Sequence, residues 1–239
     1  MMGLAFAAIA ALGDILGGAL VLARPRRERR LLSALVGFGA GFMLAVAILE
    51  MVPHAVDVRG GLIAILAGYL VVHLTQHSLT PHFHFGEETH EEAMVSPGIG
   101  VWALVGLVPH SFFDGVAIAG AFLESGELGG LVFTAIVLHK VPTGVSLASV
   151  MIASGNTRRR SLFAVVVMAL ATVVGAMITP AVTALATWGL ALAAGVTMYV
   201  AASNLIPESQ HERGWLAQGG IFAGVLAFFL VKLITGGLT

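Results

Sequence analysis

Hydrophobic residues run through this chain in long blocks, and short polar interruptions cut it into eight segments. The apolar blocks lie at 2–22, 32–52, 61–76, 97–122, 129–153, 162–186, 188–207 and 217–236. Most match the length a helix needs to cross a hydrocarbon core of roughly 30 Å, the third being short. The pattern predicts an all-α membrane protein with eight transmembrane helices. The sixth and seventh blocks are hardly separated, and the cut between them is placed at Thr187-Trp188-Gly189. The first block is read as a retained span, because its basic cluster follows it, the reverse of a signal peptide.

Composition agrees with that pattern. Of 239 residues, 58% are hydrophobic and 10% charged, and the mean hydropathy is +0.96, whereas soluble domains carry about 25% charged residues. The whole of 1–239 is read as one integral membrane domain, multi-pass in the cell membrane. A net charge of −1 gives no basic excess for nucleic acid, which is not an expected partner. The chain has no cysteine, so disulfides, thiolate metal sites and cysteine nucleophiles are excluded.

The placement of charge is more informative than its sum. Loops on one side of the eight-span arrangement hold Arg24, Arg26, Arg27, Arg29, Arg30, Arg158, Arg159, Arg160 and Arg213, whereas the other side holds Arg59 alone. Positive residues collect on the cytoplasmic side, so both termini are expected to be extracytoplasmic.

Two segments inside the fourth and fifth blocks nearly copy each other. His110-Ser111-Phe112-Phe113-Asp114-Gly115 and His139-Lys140-Val141-Pro142-Thr143-Gly144 align at a constant offset of 29. On a helix, His110 and Asp114 stand one turn apart on one face, as do His139 and Thr143. An ionisable group at membrane depth costs roughly 2.5–3.5 kcal/mol on insertion scales, so such pairs mark a functional site. Two imidazoles and a carboxylate suit a borderline metal such as zinc. A hydroxyl of Ser111 or Thr143, or a water, would complete the shell. Pro109 borders the first motif and Pro142 falls within the second, and each removes a backbone donor near the site.

A second similarity joins the second and seventh blocks, where 40–47 aligns with 194–201 at an offset of 154. The same offset sets Glu50 against Asn204 and His54 against Glu208. These blocks run in opposite senses, as do the fourth and fifth, so the chain reads as an inverted repeat of helices 1–3 and 6–8 around a central pair 4–5. The first and sixth blocks match weakly (Gly17 with Gly175), the third and eighth hardly at all.

Remaining polar residues suggest auxiliary roles. Lys140 lies mid-span, where it reads as a fixed positive charge standing in the place of a second cation and balancing Asp114. Asp14 and Glu50 are further intramembrane carboxylates. Glu50, His54 and Glu208 are read as pathway residues toward the two faces, against the alternative that they are plain interfacial residues. The cytoplasmic loop at 77–94 holds His77, His82, His84 and His90 among acidic neighbours. His82, His84 and His90 are expected to capture metal loosely.

On these motifs the chain resembles the ZIP (Zrt/Irt-like) metal transporters over nearly its whole length. The resemblance implies eight spans, termini outside, a His-rich cytoplasmic loop after the third span, and a triple-helix inverted repeat around a central pair. It also implies metal ligation by His110, Asp114 and His139. Many members carry Asn where Ser111 stands, a carboxylate where Lys140 stands, and Glu or His where Thr143 stands. Those groups build a second metal position, and the sixth span (162–186) offers no carboxylate either. The His-Ser and His-Lys combination resembles a branch in which lysine replaces the second metal, which implies a single-metal site.

The resulting expectation is a transporter, not an enzyme, moving Zn²⁺ toward the cytoplasm as its substrate. Fe²⁺, Mn²⁺, Cd²⁺ and Co²⁺ are alternatives that a His₂-carboxylate set equally suits. Partners are the ion and the lipid bilayer, and a homodimer is compatible with the reading. Two rivals use the same residues: a proton-coupled or non-transporting membrane sensor, and an intramembrane metal-dependent hydrolase with Asp114 as base. The second lacks any His-Glu-x-x-His motif.

Overall fold

The computed structural model describes residues 2–23, 29–78, 97–210 and 215–235. Helices and the turns between them account for all of these. Helix α1 is Met2–Ala23. Helix α2 starts as Arg29–Val46, widens into a π-helical turn at Ala47–Met51 and closes as Val52–Val56. Helix α3 is Gly61–Ser78, α4 is Pro97–Glu124 and α5 is Gly126–Ala153. Helix α6 is Arg158–Ile178, followed by a 3₁₀ turn at Thr179–Ala181. Helix α7 is Thr183–Tyr199 with a π-helical turn at Val200–Leu205 and a last turn at Ile206–Ser209, and α8 is Trp215–Thr235. Six of the eight are long and apolar enough to cross a membrane, and shorter apolar stretches occupy 61–76 and 218–234.

Local chemistry sets the boundaries. Ser125 caps α5 by accepting from the Leu128 N–H at 3.1 Å, and Thr157 caps α6 by accepting from the Arg160 N–H at 3.4 Å. Between these helices, Gly155 takes φ 86°. The N–H groups of Gly155 and Asn156 reach back to the Ile152 and Met151 carbonyls, which closes α5 with a left-handed C-terminal cap.

The boundary expected at Thr187-Trp188-Gly189 lies elsewhere. Those residues are inside α7, and the chain breaks at 179–182, where Val182 turns extended (φ −107°, ψ 108°). Pro180 accounts for the break, since it has no N–H to continue the helix. Gly189 has a packing role instead, lying against the Val116 side chain of α4.

Helices α1, α4, α5 and α6 pack together, with α1 against α5 and α4 against α6 as the most extensive contacts. A second group pairs α2 with α8 and α3 with α7. Glycines bring the backbones of each pair within touching distance. A Cβ at Gly17 would run into the Val141 carbonyl, and one at Gly144 into the Asp14 carbonyl. Likewise, a Cβ at Gly175 would strike the Phe112 carbonyl and one at Gly115 the Thr172 carbonyl. Membrane helices use small residues this way because van der Waals contact between backbones must replace the hydrophobic drive that lipid cannot supply. Between the groups the backbones stand further apart at Gly39 of α2, where a Cβ would lie 3.5 Å from the Leu138 oxygen of α5, while Gly189 of α7 is close to a side chain, that of Val116 of α4. The mid-helix residues of α4 and α5 therefore sit where the two groups face each other.

Candidate metal centre

His110 and His139 each fall halfway along a 28-residue helix, so both imidazoles reach the same depth. The rings lie 5.3 Å apart between centroids. Asp114, one turn beyond His110, extends its Oδ2 between them, 3.5 Å from His110 Nε2 and 3.4 Å from His139 Nε2. All three residues are buried, with ligand atoms within 4.8 Å of one another. The 3.4–3.5 Å separations are long for hydrogen bonds. They do match the gap of about 3.3–3.4 Å between two atoms that each lie 2.0–2.1 Å from a tetrahedral zinc ion.

Hydrogen bonding prepares one of the two imidazoles for that role. His139 Nδ1 lies 3.3 Å from the Ala135 carbonyl, a pairing that puts the ring proton on Nδ1 and leaves the Nε2 lone pair turned to Asp114. Both ring nitrogens of His110 and Nε2 of His139 are buried without a hydrogen-bond partner. Buried polar atoms are normally satisfied, and a bound cation would satisfy the two Nε2 atoms that face Asp114. Pro142 cannot donate to the Leu138 carbonyl, which loosens the backbone beside His139. A cavity of about 20 Å³ touches His110, Thr143, Ser146, Val36, Val200 and Asn204, large enough for one water or one ion.

Lys140 anchors the other side of Asp114. Its Nζ is 3.0 Å from Asp114 Oδ2 and 3.0 Å from Asp14 Oδ2. It also donates to Thr172 Oγ1 at 2.8 Å and Ser111 Oγ at 3.2 Å. Ser111 is therefore turned to the lysine, while the Thr143 hydroxyl donates to the His139 carbonyl at 2.8 Å and keeps its lone pairs. Asp14 and Thr172 are members of this cluster that sequence reasoning left unassigned. The only prior signal was that Asp14 is the lone carboxylate of α1.

The pathway candidates lie outside this cluster. His54 Nδ1 is 2.8 Å from the Glu50 carbonyl, and the Glu50 carboxylate pairs with Lys232 of α8 at 3.0 Å. Glu208 belongs to the last turn of α7, but its side chain lies outside the described residues. So do His82, His84 and His90.

The family model described as ZIP zinc transporter matches residues 71–232. The chain belongs to the ZIP family. Among curated proteins it is similar to zinc transporter ZIP9 of Micropogonias undulatus, 30% identical over 61% of this chain and 50% of that protein. It is similar to zinc transporter zipt-7.2 of Caenorhabditis elegans, 28% identical over 52% of this chain and 29% of that one. Zinc transporter ZupT of Chlorobium luteolum is 25% identical over 95% of both chains. The chain thus spans about half the length of the ZIP9 proteins it matches, and nearly the full length of ZupT. Within this ZIP chain, the family-model match covers α4 and α5 entirely.

Proposed function

We propose that this ZIP-family chain carries a divalent metal ion, Zn²⁺ foremost, across the cell membrane toward the cytoplasm, through a single-ion site formed by His110, Asp114 and His139. The observation that carries the reading is the geometry of Asp114 Oδ2, which faces two partnerless imidazole nitrogens at 3.4–3.5 Å inside the bundle. The relatives named above are zinc transporters, which supports Zn²⁺ as the substrate and a carrier in place of an enzyme. Thr143 or a water is the better fourth ligand, because the Ser111 oxygen is held by Lys140.

The eight-span topology with extracytoplasmic termini follows from the nine-to-one arginine distribution. The inverted repeat draws support from packing. Exchanging α1–α3 for α6–α8 and α4 for α5 carries four of the tight glycine contacts onto four others. Gly17 on Val141 becomes Gly175 on Phe112, and Gly144 on Asp14 becomes Gly115 on Thr172. Gly41 on Ile221 becomes Gly195 on Ile65, and Gly224 on Phe38 becomes Gly68 on Leu192. The π-helical turns of α2 and α7 correspond as well. Helices α3 and α8, which scarcely match in sequence, thus correspond through Gly68 and Gly224.

In this reading the group α1, α4, α5 and α6 rocks against α2, α3, α7 and α8, with the ion at their boundary. The small cavity at His110 continues toward Ser146 and Asn204, which the topology sets on the cytoplasmic side.

Zinc flux into proteoliposomes tests the proposal. His139→Ala is expected to abolish uptake with the protein still folded, and Thr143→Ala to reduce it only a fewfold, since water replaces a hydroxyl. Undiminished flux in the His139 variant would sink the assignment. Binding without any flux in the wild type would make the chain a sensor.

A further inference from the structure

Resting on the reading just given, we propose that Asp14 is a positioning residue of the transport site. It takes over the Lys140 ammonium when an ion claims the Asp114 carboxylate, and its charge is what permits a divalent ion beside a fixed lysine.

The contest is over one atom. Asp114 Oδ2 faces both imidazole nitrogens and is also 3.0 Å from Lys140 Nζ. An ion entering between His110 and His139 must take that oxygen from the lysine. An ammonium has three N–H donors, and here four oxygens surround it: Asp14 Oδ2, Asp114 Oδ2, Thr172 Oγ1 and Ser111 Oγ. Removal of Asp114 leaves two hydroxyl acceptors, Thr172 Oγ1 and Ser111 Oγ, and the ionic contact to Asp14 Oδ2 at 3.0 Å, so the lysine keeps three oxygens and an anionic partner without moving far. Asp14 and Thr172 come from α1 and α6, not from the helices that carry the imidazoles. They can retain the lysine while the ion holds α4 and α5.

Charge points the same way. Two carboxylates and one ammonium leave the buried cluster with one negative charge, and a divalent ion reverses it to one positive. Were Asp14 neutral, the cluster would start at zero and gain two uncompensated positive charges inside the membrane. Uncompensated buried charge is strongly disfavoured. Asp14 itself is wholly buried, and the glycine contact between its carbonyl and Gly144 fixes α1 against α5 at that level. Its position is therefore set by backbone packing, independent of any ion.

The test is equilibrium Zn²⁺ binding to the detergent-solubilised full chain by calorimetry, alongside the KM and maximal rate of vesicle uptake. Asp14→Asn is expected to weaken binding by about tenfold or more and to raise KM more than it lowers the maximal rate. Asp14→Asn/Lys140→Met, which removes both charges together, is expected to restore affinity to near the wild-type value. Affinity unchanged in the single variant, or equally weak in the double, overturns the inference. If Asp14→Asn does not fold, Thr172→Val decides: it keeps every charge but loses one retaining contact, and unchanged affinity there also overturns it. A wild type that binds no Zn²⁺, or binding that survives His139→Ala, strikes instead at the transport-site reading.

Discussion

Glu127, in the first turn of α5, and Lys232, in the last turn of α8, meet at 3.3 Å, so a helix of one group is tied to a helix of the other. The same Nζ reaches Glu50 of α2 at 3.0 Å. Lys232 thus stays with its own group through Glu50 and can release Glu127, which is half exposed, with little loss. The pair is lopsided, with Lys232 largely enclosed and Glu127 half exposed, so in the proposed rocking motion it is the Glu127 side chain that would leave for water.

Locking that contact should stop transport. The chain has no cysteine of its own, so Glu127→Cys/Lys232→Cys gives a clean pair for a short, reducible thiol cross-linker. Uptake is expected to fall to background on cross-linking and to return on reduction. Full uptake in the cross-linked protein would show that α5 and α8 need not part.

Topology can be read with single cysteines. A cysteine at Gly126 should react with an impermeant maleimide added outside sealed cells, and one at Arg159 should react only after permeabilisation. The arginine distribution motivates this. Labelling of position 159 from outside would reverse or dismantle the eight-span arrangement.

Glycine substitutions should divide sharply. Gly115→Ala places a Cβ against the Thr172 carbonyl, and overpacking of this kind costs about 1–3 kcal/mol. Gly130→Ala meets nothing within 4 Å and should be neutral or gain up to about 1 kcal/mol from helix propensity. Thermal unfolding in detergent distinguishes them, and equal melting midpoints would contradict the packing described.

The sequence made the convergence of His110, Asp114 and His139 legible, because the i to i+4 spacing and the offset of 29 are local properties of two helices. The partnership of Lys140 with Asp14 was not, since 126 positions separate them and only the crossing of α1 on α5 through Gly17 and Gly144 unites them. Hydropathy also misplaced the turn before α7. Apolar residues continue through it, and the missing N–H of Pro180 outweighs the polarity dip near Thr187. Glu50 was legible as a buried carboxylate, but its Lys232 partner comes from the far end of the chain and follows from the pairing of α2 with α8.

The backbone contacts at Gly17, Gly115, Gly144 and Gly175 carry a consequence for heredity. Where two main chains touch, there is no side chain to exchange for a similar one, so no conservative replacement exists. A saturation screen for lost metal accumulation should return these four codons as intolerant as those for the histidines, although no glycine has chemistry to offer an ion. Drift at those positions is closed off, while outward-facing residues such as Ile63 and Phe222, both largely exposed, are free to wander among apolar types.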